Sequence, residues 1–153
     1  MTKKSAGLLM YRGLTGGELE VLLVHPGGPY WAKKDEGAWS IPKGEYTDNE
    51  DARDAAIREF EEELGFAPSG DLIELGQAKL ASGKIVSAWA LAGDWDPANL
   101  RSNTFKMEWP PKSGVMTEFP EVDGAAWFDI DTARVKINSG QIPFLDTLMS
   151  HAR

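Results

Sequence analysis

Apolar residues run along this chain in two rhythms, and each change of rhythm marks an element. Residues 5–12 form a short apolar run and residues 19–25 a second, rich in valine and leucine. With Gly16-Gly17 between them as a turn, they predict a β-hairpin. Residues 72–80 and 84–91 read as two more strands around a turn at Ser82-Gly83, and residues 125–128 as another. Residues 51–64, 129–137 and 143–153 read as helices, with Asp129 or Asp131 placed to cap the second. Residues 26–37, rich in Gly, Pro and Lys, read as a loop. Residues 94–122 carry many prolines and few periodic signals, and a connection of that length in a compact domain is functional or mobile. The elements suit an α/β class with a mixed sheet.

The helix over 51–64 has two sides. At about 100° per residue, Ile57, Phe60 and Leu64 share one apolar arc, and Glu59, Glu62 and Glu63 share another about 100° wide. Ala52, Ala55 and Ala56 fall with the carboxylates, which predicts a side without bulk against which a ligand can lie. Thr47 and Glu50 have the spacing of a capping box, and Gly65 suits a left-handed stop after Leu64. Like charges on adjacent turns cost an isolated helix a few tenths of a kcal/mol per pair. Hard oxygen ligands of this kind suit Mg²⁺ or Mn²⁺, which would offset that cost. A bare run such as Glu61 to Glu63 is usually a solvated face, and only the wider spacing separates this one from that reading.

Charge is concentrated in the same place. The chain has 24 acidic and 16 basic residues, a net charge of −8, and residues 45–63 hold nine of the acids against Arg53 and Arg58. Outside that segment the chain is nearly neutral. Backbone recognition of DNA or RNA takes a basic patch, so a nucleic-acid polymer is a poor partner. With 153 residues, 42% of them hydrophobic, the chain suits one domain over 1–153. No apolar run of membrane-spanning length and no signal-peptide pattern is visible, which predicts no membrane partner. The absence of cysteine excludes a disulfide framework and a zinc ribbon, and a cytoplasmic location is the default expectation.

Written as spacing, residues 44–66 run Gly44, five residues, Glu50, seven residues, Arg58-Glu59, Phe60, one residue, Glu62-Glu63, one residue, Gly65, Phe66. At roughly 7% per glycine or charged position, a chance match is on the order of one in a million. The pattern resembles the signature of the Nudix hydrolase family with no position missing. That resemblance implies an α/β/α sandwich with a mixed sheet and metal-assisted hydrolysis of a phosphoanhydride. It implies Glu59, Glu62 and Glu63 as metal ligands, joined by the Gly44 carbonyl, with magnesium as cofactor and manganese as its substitute. Arg58 would hold a catalytic glutamate in place and Glu50 would brace the loop-helix junction. The general base is Glu62 or Glu63, or a later loop glutamate. Glu121 is the loop candidate, because its distance from Trp127-Phe128 resembles that in diadenosine tetraphosphate hydrolases, and Glu118 is the alternative.

For the substrate, Lys43 precedes the box and can point an ammonium at a phosphate, and Lys33, Lys34, Arg101 and Lys106 lie in loops able to do the same. Tyr30, Trp31, Trp39, Phe105, Trp109 and Phe119 can stack on a base or fill core. Lys43, Tyr30, Lys33 and Phe119 are the substrate-binding candidates. His25 reads as a strand end without a catalytic role. Ala81 and Ser82 stand where ADP-ribose hydrolases and one branch of dinucleoside polyphosphate hydrolases carry a proline and a tyrosine. The lead-in from Trp39 to Gly44 is similar to that of enzymes acting on diadenosine or inositol polyphosphates, so a dinucleoside polyphosphate is the preferred small-molecule substrate. The alternatives are a house-cleaning nucleoside triphosphate pyrophosphohydrolase and a non-hydrolytic nucleotide-sensing module. An acidic protein-interaction face or calcium site lacks the EF-hand spacing. The residues allow a homodimer without requiring one.

Overall fold

Strand β1 (Lys4–Gly13) lies at the centre of the molecule and organises it. The structure is a computed structural model that describes residues 3–13 and 18–151. After β1 come β2 (Leu19–Pro26), β3 (Lys43–Glu45), α1 (Ala52–Leu64), β4 (Leu72–Lys79), β5 (Ile85–Ala92), β6 (Thr104–Glu108), β7 (Met116–Pro120), β8 (Val122–Asp129), α2 (Ile130–Lys136) and α3 (Ile142–His151). The main sheet runs β4-β5-β1-β2-β8, with β3 as a further partner of β1. β1 and β5 are parallel and the other pairs antiparallel, so the sheet is mixed as expected. The hairpin turn expected at Gly16-Gly17 lies outside the described residues. No helix among the described residues is long and apolar enough to cross a membrane.

Side-chain alternation along β1 and β2 builds a core on each face of the sheet. Leu8, Met10, Leu22 and Val24 point to one face, where they meet Ala55, Ala56, Phe60 and Leu64 of α1. Leu9, Val21 and Leu23 point to the other, where Ala133, Phe144, Leu145 and Leu148 of α2 and α3 cover them. Each large apolar side chain buried this way contributes roughly 1.5–3 kcal/mol before entropy is counted. Helix, sheet and helix therefore form the expected three layers.

One departure from a regular sheet positions the site. β1 and β2 pair only over Tyr11 to Gly13 and then diverge, and residues 40–45 enter the gap. The Leu8 N–H donates to the Pro42 carbonyl at 3.1 Å, and Val24 and Ser40 exchange backbone bonds of 2.8 and 2.9 Å. Gly7 makes the insertion possible, since a Cβ there would stand 2.6 Å from the Pro42 oxygen.

Three local expectations are corrected. Helix α1 is capped by Asp51, which accepts from the Asp54 N–H at 3.3 Å, and not by a Thr47–Glu50 capping box. Glu50 turns away because two charge-assisted bonds to Arg58 outweigh one capping bond. Ala55 and Ala56 are fully buried against the sheet, so the carboxylate side is not an open face. Their small size lets α1 sit close to β1, which brings Glu59 and Glu63 inward. Residues 94–122 are also not a featureless connection. They hold a 3₁₀ turn at Pro97–Asn99 and the antiparallel β6–β7 hairpin.

Candidate active site

Glu59 lies against the backbone of Gly44, so close that a Cβ on residue 44 would overlap its carboxylate. Only glycine fits there. β3 brings Gly44 to this point by pairing with β1, and the third turn of α1 brings Glu59. A main-chain segment and a buried carboxylate are thus pressed together.

Arg58 fixes the surrounding carboxylates. Its Nε and Nη2 donate to the two Glu50 oxygens at 2.8 and 2.9 Å, and its Nη1 donates to Glu59 at 2.7 Å and Glu62 at 3.1 Å. Glu50 first, and then Glu59 and Glu62, hold the guanidinium charged against the cost of burial. The planar fork suits this work better than a lysine would, because one rigid group orients three carboxylates.

Glu63 occupies a cleft of about 130 Å³ with Lys43, Ser40, Ile41, Val24, Pro26, Glu121 and Val122. Burial pushes the Glu63 carboxyl up to about 8, Glu59 and Glu121 add to the shift, and the Lys43 ammonium and backbone N–H oppose it. Burial likewise lowers Lys43, with Lys84 contributing. Burial raises Glu59, and the charges of Glu62 and Glu121 add to it while Arg58 opposes. Glu121 is raised by burial and then by Glu62. Four carboxylates therefore repel one another across one small region.

Backbone pairing carries Glu121 to this region from far along the chain. Gly27 N–H donates to the Glu121 carbonyl at 2.9 Å and Glu121 N–H to the Asn103 carbonyl at 2.8 Å. Asn103 N–H in turn donates to the Glu62 carbonyl at 3.0 Å, and the Ser102 hydroxyl accepts from Val122 N–H at 2.9 Å. Residues 101–103 thus link the last turn of α1 to the corner that carries Glu121. A Cβ on Gly27 would overlap the Pro120 carbonyl, so that corner also needs glycine.

Sequence and geometry meet in the family model described as NUDIX domain, which matches residues 1–148. The chain belongs to the Nudix family. No curated protein matches it by sequence. Among solved structures it is similar to a C. elegans Ap4A hydrolase binary complex, at 24% identity and a TM-score of 0.66 over 98% of this chain and 97% of that one. It is also similar to the NUDIX domain of Shewanella oneidensis NrtR complexed with ADP ribose, at 12% identity and a TM-score of 0.66 over 100% and 90%. A MutT protein from Methanosarcina mazei Go1 matches at 17% identity and a TM-score of 0.63 over 99% and 96%. These likenesses carry the fold. Family membership carries the reaction class, a pyrophosphohydrolase.

Nudix hydrolases generally use divalent metals, and the chemical type of the donors here suits one. Glu59, Glu62, Glu63 and Glu121 are hard oxygen donors whose mutual repulsion a cation would relieve. Among the described residues no three His, Cys, Asp or Glu side chains converge closely enough to hold a metal ion by themselves. Magnesium is commonly bound by one or two protein carboxylates, keeps several waters and takes substrate phosphate oxygens at its remaining positions.

The remaining candidates lie apart. Tyr30 is 60% exposed and packs edge-on against Trp109 at 5.4 Å. Lys33 is exposed on the same loop, and Phe119 pairs with Phe105 across the β6–β7 hairpin. None of the three lines the cleft that holds Lys43. Glu118 is exposed on β7, opposite Lys106. Sequence reasoning missed Gly27, Ser102, Asn103 and Lys84. Gly27 sits in a Gly-Gly pair that signals a turn, whereas the others carry no local sign of their partners.

Proposed function

We propose that this Nudix protein is a magnesium-dependent hydrolase that cleaves a phosphoanhydride bond in a polyphosphate, with dinucleoside polyphosphates preferred. The observation that carries this reading is the cleft itself, where the half-buried Lys43 lines one space with Glu63 and Glu121 beside the Glu59–Gly44 contact. A cation next to carboxylates that repel one another suits a ligand made of metal and phosphate together. Glu59, Glu62, Glu63 and the Gly44 carbonyl would hold the metal, which supplies charge neutralisation and a more acidic bound water. Lys43 binds a phosphate oxygen, and Arg58 keeps Glu59 and Glu62 in orientation. Glu121 takes the proton from the attacking water, because Arg58 ties up Glu59 and Glu62 and Glu63 is assigned to the metal, which leaves Glu121 as the carboxylate without another role. The similarity to the Ap4A hydrolase fold and the lead-in from Trp39 to Gly44 favour two nucleoside ends joined by a phosphate chain. Tyr30 and Phe119 would receive a base outside the cleft, with Lys33 on a distal phosphate.

Products formed from nucleoside triphosphates, dinucleoside polyphosphates, nucleotide sugars, ADP-ribose and inositol pyrophosphates, with and without Mg²⁺ and separated by anion-exchange chromatography, test the reading. Metal-dependent cleavage of dinucleoside polyphosphates well above the rest is expected. Preference for triphosphates would replace the substrate, and no turnover on any class would sink the hydrolase.

A further inference from the structure

The lead-in to the box is held from the far side of the sheet. Trp39 N–H donates to the Lys136 carbonyl at 3.0 Å, and Asn138 N–H donates to the Trp39 carbonyl at 2.8 Å, so the end of α2 pairs with residue 39 as a short parallel bridge. One side chain then extends this grip toward the cleft. Gln141, in the 3₁₀ turn before α3, is 1% exposed and lies on the face of the sheet opposite α1. Its Oε1 accepts from the Ile41 N–H at 3.0 Å, and its Nε2 donates to the Ser40 hydroxyl at 3.0 Å. Ser40 Oγ donates onward to the Ile41 carbonyl at 2.7 Å. A primary amide can act as donor and acceptor at once, and both capacities are spent on adjacent residues of one segment.

We propose that Gln141 is a positioning residue that sets Ser40 to Gly44 in register with the carboxylates of α1. Ser40 and Ile41 line the cleft, and Lys43, two residues further on, lines it beside Glu63. The segment has little freedom to absorb an error, since Pro42 follows Ile41 and Gly44 meets Glu59 without room for a Cβ. A buried amide that loses both bonds leaves the Ile41 N–H without its partner, and the chain must shift to find another. Such a shift moves Lys43 and the Gly44 carbonyl, not the helix that carries the glutamates. The role in turnover rests on the hydrolase reading above, whereas the structural link to Lys43 does not.

Gln141→Leu keeps the volume and removes both bonds. Ser40→Ala breaks the same link from its other end, and Leu148→Ala, in the same apolar cluster but making no hydrogen bond to residues 39–41, is the control for a weakened core. Below the melting temperature of each variant, Gln141→Leu is expected to lower kcat about tenfold with KM held within about twofold, while Leu148→Ala keeps kcat within about twofold. Combined with Ser40→Ala, the Gln141→Leu loss should be less than additive. Amide hydrogen exchange at Lys43, followed by NMR without substrate, should accelerate in Gln141→Leu and not in Leu148→Ala. Lys43 exchange and kcat that match the Leu148→Ala control would overturn the proposal. Absence of turnover in the unmutated protein would remove the hydrolase reading alone, and Lys43 exchange would still decide the positioning.

Discussion

Glu63 combines burial with a charge that its neighbours oppose, and this makes it the most informative single residue. Its carboxyl is raised to about 8, so in metal-free protein the proton is held more tightly in the folded than in the unfolded state. Stability linked to it is fully present below the ordinary carboxylate range and is lost as pH rises toward about 8. Glu63→Gln removes that cost while keeping the size. The variant should therefore melt no lower than the parent at pH 8 without metal. Its hydrolysis should be slower by several kcal/mol in the barrier, on the order expected for loss of a metal-bound charge. Full activity in the variant would dismiss the metal role. Arg58, by contrast, was legible in kind but not in detail. Sequence pointed to one carboxylate partner, and the guanidinium serves Glu50, Glu59 and Glu62 together.

At the scale of elements, the site is made where pieces from different parts of the chain abut. β3 and α1 are close in sequence, so their meeting at Gly44 and Glu59 follows from the box. The β7–β8 corner is more than fifty residues away, and Gly27 seats it by closing on the Pro120 carbonyl. Gly27→Ala forces that corner to move and carries Glu121 with it. A destabilisation of about 1–3 kcal/mol, typical of overpacking, is expected in urea unfolding. A tenfold or larger fall in kcat should accompany it, on the order of 1.4 kcal/mol or more in the barrier. An unchanged kcat would show that the corner does not position the base. The β6–β7 hairpin was hidden because neither strand is deeply buried, and both alternate only between exposed and half-buried positions. That weak alternation, with the turn residues of 110–114 between, was the signal available.

Across the whole molecule, His25 joins regions that lie far apart in sequence. Its Nδ1 bonds Asp123 at 2.7 Å and its Nε2 bonds the Lys34 carbonyl at 2.6 Å. Both partners accept, so both ring nitrogens donate and the ring is the imidazolium. Burial works to lower its pKa, but the Lys34 carbonyl and Asp123 outweigh it and the net shift is upward. A raised folded value means the His25 contribution is complete below the ordinary histidine range and is lost as pH rises through the folded value. Urea unfolding at pH 6, 7 and 8 should show stability falling over that interval, and His25→Gln should flatten the fall. An equal slope in both proteins would argue against a charged His25. The net charge of −8 acts at the same scale, since most of it lies in residues 45–63 and draws cations toward α1.

Local pattern alone determined strands β1, β2, β4, β5 and β8, the box helix with its glycine stop, and the carboxylates that define the reaction class. Each depends on residues within a few turns of one another, where periodicity and spacing have direct geometric meaning. Only the tertiary structure decided that β1 and β2 part to admit residues 40–45, and that Ala55 and Ala56 face the sheet. It also decided that Glu50 serves Arg58 and not the helix cap, and that Gln141 reaches Ser40 and Ile41. These outcomes are competitions between distant partners for the same donors, acceptors and space. A linear sequence names the competitors, and the packed chain selects among them because every buried polar group must find a partner and every close approach must have room.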